Sequence, residues 1–443
     1  MPSADAAPPA PETIAAIATP PGRGAIGVVR VSGARVPELA QRLLGRLPSP
    51  RAATRLTARD AHGEPLDEGL ALYFPAPHSY TGEHVLEFQG HGGAVVLQSV
   101  LAAFLAAGAQ PAEPGEFTRR AFLNGRLDLA QAEGVADLID AASREAARSA
   151  LRSLRGEFSA AVQALLGELV ELRALTEAML DFPEEEVDAL HRAEAASRLA
   201  RVRESLASVV GRSRQGSLLR GGVHVVLAGR PNVGKSSLMN RLAGEERAIV
   251  TEIPGTTRDA LRESILIEGV PIVVIDTAGL RASADPVERL GIERTHQELE
   301  RADLAIVVFE AGEAHAPLAA LPAGVARIEV YNKADLAPGF VPPADGLAVS
   351  ARTGAGLDAL RRRILEEVGW RPAGESVFMA RERHLLALRE AAAQLEAAAL
   401  ELPRWELFAE RLRLAHAALG AIVGEFTADE LLGEIFGRFC IGK

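Results

Sequence analysis

One cysteine, Cys440, is all that 443 residues contain, so an intrachain disulfide is excluded and a reducing compartment, the cytoplasm, is expected. Aromatic residues are scarce as well, at 4 %, which suits aliphatic packing between helices. No run of about 18 apolar residues occurs, and the opening residues have neither Lys or Arg nor an apolar core, so neither membrane spanning nor secretion is expected. A basic excess is also missing. The formal net charge of −11 opposes an extended grip on nucleic-acid phosphate, so RNA contact would need a local basic patch or a partner's surface.

What is present is length and a helix-forming composition. The chain is too long for one hydrophobic core, and about three domains are expected. From Thr13 to Leu123, short β-like runs (Gly27 to Val31, Leu70 to Phe74, Val85 to Phe88) alternate with Gly/Pro punctuation and a helical stretch, which reads as an α/β domain. From Asp128 to Leu219 the sequence is nearly free of proline, rich in Ala, Leu, Arg and Glu, and apolar at three- and four-residue spacing. That pattern predicts long amphipathic helices, broken near Phe182-Pro183. Between Gly222 and Trp370 apolar strands alternate with helices, which implies a mainly parallel sheet. Helical composition then returns. A helical domain interrupted by an inserted α/β domain is the simplest account, with divisions at 1–125, 126–221, 222–372 and 373–443.

The run from Gly229 to Ser236 has the form G-x-x-x-x-G-K-S and lies between the strand Val223 to Ala228 and a helical run. Its glycines let consecutive N–H groups face phosphate oxygens at a helix N-terminus, while Lys235 supplies a charge for the β and γ phosphates and Ser236 a magnesium ligand. Asp276-Thr-Ala-Gly279 closes a neighbouring strand, with a carboxylate for the magnesium shell and a backbone N–H for the γ-phosphate. Asn332-Lys-Ala-Asp335 closes another. The Asp335 carboxylate can accept from the two N–H groups on one edge of guanine, and adenine lacks that donor pair, so the expected base is guanine. Ser350-Ala351 fits a loop closing over the base. Contacts to GTP are thus expected from Asn232, Val233, Gly234, Lys235, Ser236 and Ser237; from Thr251, Glu252, Ile253, Pro254, Gly255, Thr256 and Thr257; from Asp276, Thr277, Ala278 and Gly279; and from Asn332, Lys333, Asp335, Ser350, Ala351 and Arg352.

Ras-like enzymes orient the attacking water with a glutamine after the Asp-Thr-Ala-Gly motif. Here that position is Leu280, which has no polar group. Glu288, just downstream, is the nearest candidate, and a solvated helix charge is the competing reading. No arginine finger stands out, although Arg258 and Arg281 lie in the switch segments. Asn232 and the carbonyls and hydroxyls of residues 251 to 257 form a ligand set suited to a hard monovalent ion, so potassium is a hypothesis. Thr257 would sense γ-phosphate and magnesium.

These motifs, together with Thr19-Pro-Pro-Gly-Arg-Gly24, Tyr80-Thr-Gly-Glu83, Gln89-Gly-His-Gly-Gly93, Gly115-Glu-Phe-Thr118, Ala121-Phe-Leu-Asn124 and the closing Phe439-Cys-Ile-Gly-Lys443, resemble the MnmE (TrmE) family of tRNA-modification GTPases across nearly the whole chain. The resemblance implies an amino-terminal α/β domain that binds a formyl-tetrahydrofolate and dimerises, a central helical domain, and an inserted Ras-like P-loop GTPase domain. It also implies a homodimer that works in the cytoplasm with MnmG, an FAD protein, in a heterotetramer or larger complex. Together they would install an aminomethyl-type group on carbon 5 of the wobble uridine of certain tRNAs, contacted directly or through MnmG. Association of the G domains with GTP and potassium bound would activate hydrolysis.

Carried over by position, potassium ligands would be Asn232, Thr251, Ile253 and Thr256; magnesium ligands, Ser236 and Thr257; the catalytic pair, Glu288 and Lys235. Folate contacts would be Arg30, Glu87, Arg126 and Lys443, where Arg126 replaces a family lysine of different geometry. Without the resemblance, Arg30 and Glu87 read as ordinary surface charges. Cys440, in the closing tail, is either inert or a thiol acting on the one-carbon unit. Two other functions compete: a GTPase switch for ribosome assembly, which would need an RNA-binding module that is not visible, and a folate-binding scaffold that nucleotide merely gates.

Overall fold

The computed structural model describes residues 12–181, 188–230, 232–244, 262–276, 302–313, 325–371, 377–425 and 429–442. The chain divides into two units, Met1–Ala136 with Val423–Lys443, and Asp137–Ile422.

The first unit is built on a six-stranded sheet. Its elements are β1 (Ile14–Ile17), β2 (Gly24–Ser32), α1 (Val36–Leu44), β3 (Thr54–Arg59), β4 (Pro65–Phe74), β5 (Val85–Gly92), α2 (Ala94–Ala106), β6 (Gln110–Pro111), α3 (Glu116–Leu123) and α4 (Leu129–Ile139). Strand order is β3-β4-β5-β2-β1-β6, antiparallel except for β1 against β6. Side chains alternate across a strand, so Leu86 and Phe88 of β5 enter the core with Leu39 and Leu43 of α1 and Val100 and Phe104 of α2. Glu87 goes to the other face. There it lies in register with Arg30 of β2.

The second unit holds both helical and α/β parts. Helices α5 (Arg144–Leu154), α6 (Glu157–Asp181) and α7 (Asp188–Gly221) lead into β7 (Val223–Gly229), α8 (Lys235–Ala243), β8 (Arg262–Ile267), β9 (Val270–Asp276), β10 (Leu304–Glu310), β11 (Ala326–Asn332), β12 (Gly346–Ala348) and α9 (Leu357–Glu367). Helices α10 (Glu382–Glu401) and α11 (Trp405–Val423) follow. Buried residues recur at three- and four-residue steps in α7 (Ala195, Leu199, Val202, Leu206, Val209), α10 (Leu388, Ala391, Leu395, Ala398) and α11 (Phe408, Leu412, Ala415, Leu419). That period makes each helix apolar along one stripe.

The α/β sheet runs β12-β11-β10-β7-β9-β8, parallel except where β8 returns against β9. Its central strands β7, β9 and β10 are apolar on both faces, as burial under helices requires, whereas β11 alternates, with Arg327 and Glu329 on its less buried face. The carboxyl ends of β7, β9 and β11 therefore open at one edge, where ligands bind in such sheets. Where the chain leaves this sheet it is strapped down: Gln215 Nε2 donates to the Gly369 carbonyl (2.8 Å) and Gln215 Oε1 accepts from the Arg371 amide (3.0 Å). The buried Asp137 carboxylate accepts from Arg220 (2.8 Å), just before β7, and from Arg381 (2.9 Å), just before α10.

The last helix, α12 (Asp429–Gly437), belongs to the first unit, where Leu432, Ile435 and Phe436 join Leu129 and Ala132 of α4 in a small core. The tail beyond it bridges Ile441 to Pro114. Gly442 has φ +95° and lies so close to β1 that a Cβ would fall 2.4 Å from the Ile17 carbonyl oxygen, so only glycine fits there. Among the described residues no helix is long and apolar enough to cross a membrane.

Candidate active site

The phosphate loop follows from the strand before it. β7 is anchored by the fully buried Val223, Val225 and Leu227, and it delivers the chain to the sheet edge at Gly229. Asn232 then takes a left-handed φ of +64°, and Gly234, the residue before α8, one of +92°. A Cβ on Gly234 would lie 2.3 Å from Asn332 Nδ2, so backbone and neighbour both demand glycine. Val233 is buried beneath the loop, and Ser236 and Ser237 are exposed in the first turn of α8, where helix N–H groups have no intrahelical partner. Lys235 is 8 % exposed, and its ammonium donates to the carbonyls of Gly229 (2.8 Å) and Arg230 (3.0 Å). Asp276 closes β9 in register with Leu227 of β7.

On the base side, Asn332 at the end of β11 is 2 % exposed and stitches two loops together. Its Nδ2 donates to the Val233 carbonyl (2.9 Å), and its Oδ1 accepts from the Ala351 amide (3.0 Å). Asp335 accepts from the Ser350 hydroxyl (2.6 Å) through Oδ1 and from Arg352 Nε (2.9 Å) and Nη2 (2.5 Å) through Oδ2. The Ser350 hydrogen bond, with help from Arg352, holds its carboxyl below the usual aspartate range. It is ionised and acceptor-only at neutral pH. A carboxylate has about four lone-pair sites, and these three hydrogen bonds leave one, so a base with two N–H donors takes the place of at least one contact from the exposed Arg352.

Sequence reasoning missed Glu310. Closing β10 directly opposite Asn332, it accepts from the Lys333 ammonium at 2.5 Å, while Lys333 holds a left-handed φ of +62°. One signal was present. Three of the 48 basic residues are lysine, namely Lys235, Lys333 and Lys443, each inside a motif. Ser350, expected only to lend backbone, in fact buttresses the Asp335 side chain.

The expected folate residues divide. Arg30 Nε donates to Glu87 Oε1 (2.9 Å) and Arg30 Nη1 to the Gly442 carbonyl (3.2 Å), so Arg30, Glu87 and the closing tail meet. The Arg30 guanidinium also lies 5.6 Å from the ring centres of both Tyr80 and Phe117, within cation–π range. Tyr80, whose phenol is pushed up chiefly by burial, bonds Thr118 (2.8 Å). Neither ring was among the expected contacts. Arg126 is exposed beside Gly82, and Cys440 is exposed on the tail. Thr251, Glu252, Ile253, Pro254, Gly255, Thr256, Thr257, Thr277, Ala278, Gly279, Glu288 and Lys443, and the side chain of Asp276, lie outside the described residues.

What this sheet edge can hold is a nucleoside polyphosphate whose base presents two adjacent N–H donors, which makes the fold and site those of a P-loop GTPase. Comparison with known proteins narrows the class. The family profile described as MnmE helical domain matches residues 129–440, and the one described as GTP-binding protein TrmE N-terminus matches 13–126. The tRNA modification GTPase MnmE of Thiobacillus denitrificans is 60 % identical over 98 % of this chain and 99 % of its own length. That of Neisseria meningitidis serogroup C is 55 % identical over 97 % and 99 %. Among solved structures, Aquifex aeolicus Era bound to GDP and AlF4− aligns at 27 % identity over 40 % of this chain and 67 % of that one, with a TM-score of 0.25. The chain belongs to the MnmE family of tRNA modification GTPases, and it is a GTP hydrolase acting in tRNA modification.

Proposed function

We propose that this GTPase is potassium-dependent and acts in the cytoplasm as a homodimer with an FAD protein of the MnmG kind. Its product is a carboxymethylaminomethyl-type group on carbon 5 of the wobble uridine of certain tRNAs, with the one-carbon unit drawn from 5-formyl-tetrahydrofolate or a related folate. The observation that supports this most is the tail bound to Arg30 beside Glu87, since it gathers into one place residues that surface charges would have no reason to gather.

Lys235 enters the reaction by exchanging the Gly229 and Arg230 carbonyls for the β and γ phosphates, a trade of partial for full negative charge. The N–H groups opening α8 hold the same phosphates. Ser236 and Thr257 would hold magnesium, and Asn232, Thr251, Ile253 and Thr256 would hold potassium, and the two ions would supply further positive charge there. Ser236, exposed in the first turn of α8, and Asn232, exposed on a left-handed bend, fit such ligation. Because Leu280 stands where Ras-like enzymes keep glutamine, Glu288 orients the water. Pairing of two G domains completes the site. Arg30, Glu87, Arg126 and Lys443 contact the folate, with the Tyr80 and Phe117 rings fixing the Arg30 plane.

The experiment has two arms. Purified chain should turn over GTP roughly tenfold faster or more in potassium than in sodium, about 1.4 kcal/mol of barrier, and equal rates would remove the cation. Cells lacking the protein should lose the wobble-uridine modification, and the wild-type gene should restore it. Unchanged modification in the deletion would sink the uridine assignment.

A further inference from the structure

Helix α5 carries Arg144, Arg148 and Arg152, and Arg155 follows it directly. Spacings of four, four and three place these arginines in one stripe roughly 16 Å long on a helix rising 1.5 Å per residue. The opposite face, Ala146, Ser149, Ala150 and Ser153, is buried, and the hydroxyls of Ser149 and Ser153 donate to the carbonyls of Val377 and Met379. Arg144, Arg148 and Arg155 are exposed, and Arg152 is half-buried.

Several helical arginines elsewhere in the chain are matched to acids one turn away, as in Arg173 with Glu177, Arg198 with Glu194 and Arg413 with Glu410, while others, such as Arg201 and Arg203 of α7, have no such pair among the described residues. Among the described residues the α5 arginines have no carboxylate within ion-pair distance. Helix stability does not account for them. Like charges at i and i+4 repel by about 0.2–0.5 kcal/mol per pair. Arg144 also sits in the first turn, where the helix dipole disfavours a cation. In a chain of net charge −11, an unmatched row of four cations is a local reversal of sign.

We propose that the α5 stripe grips the ribose-phosphate backbone of the tRNA substrate directly. This rests on the tRNA reading above and deepens it. A guanidinium fork matches phosphate oxygens bidentately, and one fork per helical turn suits successive contacts along a strand. The stripe has no aromatic, Asn or Gln side chain for bases, so it positions tRNA without selecting sequence. An acidic protein surface and an anionic membrane are the other polyanions that such a stripe could meet.

The test is fluorescence anisotropy of an unmodified tRNA transcript against the full chain, across a sodium chloride series. Arg144→Gln, Arg148→Gln and Arg155→Gln together should weaken binding roughly tenfold or more and flatten the slope of log affinity against log salt by about 2 to 3. The triple lysine variant should retain most of both. GTP turnover without tRNA should stay at the wild-type rate, which shows that the glutamine variant is folded. Unchanged affinity and slope would overturn the proposal, as would wild-type chain that fails to bind tRNA. Loss of binding only to MnmG-type partner or to anionic vesicles, with tRNA binding intact, would also overturn it. Failure of the uridine assignment would be seen separately, as unchanged modification in the deletion.

Discussion

In the nucleotide site the partners are close along the chain or sit at the ends of adjacent parallel strands: Lys235 bonds carbonyls five and six residues behind it, and Asn332 reaches the phosphate loop from β11. In the amino-terminal unit Arg30 meets Glu87 across an antiparallel pair, and then the Gly442 carbonyl 412 positions later. A parallel sheet brings every strand-to-helix loop to one edge, so a few short motifs, each at the end of an apolar strand, already define a shared site. An antiparallel sheet offers only a face. What that face holds depends on a tail that returns from the far end of the chain.

The largest effect is expected where local motif and site coincide. Asp335→Asn replaces half of an acceptor-only carboxylate with a donor that faces the donors of guanine, and a site built on such hydrogen bonds rejects a mismatch strongly. GTP affinity, titrated with the purified chain, should fall about a thousandfold or more. The tail on Arg30 should be untouched. Retained affinity would mean that the base is held by something other than the strand-end motif, and the contrast between the two sites would collapse.

How much could be read in advance follows the same division. The strand ends at Gly229, Asp276 and Asn332, the mainly parallel character of the sheet and the long helices were legible, because period and punctuation are local signals. Glu310 was not, since an acid ending an apolar strand says nothing of its partner until β10 and β11 are paired in register. Arg30 and Glu87 were found through the family resemblance alone, and Tyr80 and Phe117 escaped even that, because their meeting depends on tertiary packing. The grouping of α12 with the first unit was hidden for a similar reason: its helical composition does not say which core Phe436 will join.

A smaller effect tests the long-range half of the comparison. Arg30→Ala leaves Glu87, which is 20 % exposed, without its cation and the Gly442 carbonyl without its donor. Losing one partner of such a bond costs about 1–3 kcal/mol. Amide hydrogen exchange at residues 438–442 should accelerate, while GTP turnover by the chain alone stays unchanged. If the tail stays protected, the Pro114–Ile441 bridge and the fit of Gly442 against Ile17 are enough to hold it, and the guanidinium serves the ligand only.

The smallest effect separates two supports inside the nucleotide site. The Ser350 hydroxyl is the chief reason that Asp335 titrates below the ordinary aspartate range, and Arg352 adds to it. A depressed carboxyl contributes stability, and accepts from guanine, at any pH above the ordinary range; both are lost only as pH falls through its lowered value. Ser350→Ala should therefore change GTP affinity at neutral pH by less than about tenfold. Below that, the decline in affinity on acidification should begin at a higher pH than in wild type, because Asp335 takes up its proton sooner. Arg352→Gln should shift the decline less, since that side chain is largely solvent-exposed and its charge is screened. Affinity titrations carried down through and below the ordinary aspartate range, from about pH 6 to 3, distinguish the two, and superimposable acid limbs for wild type and Ser350→Ala would assign Ser350 to closing the loop rather than to holding the charge.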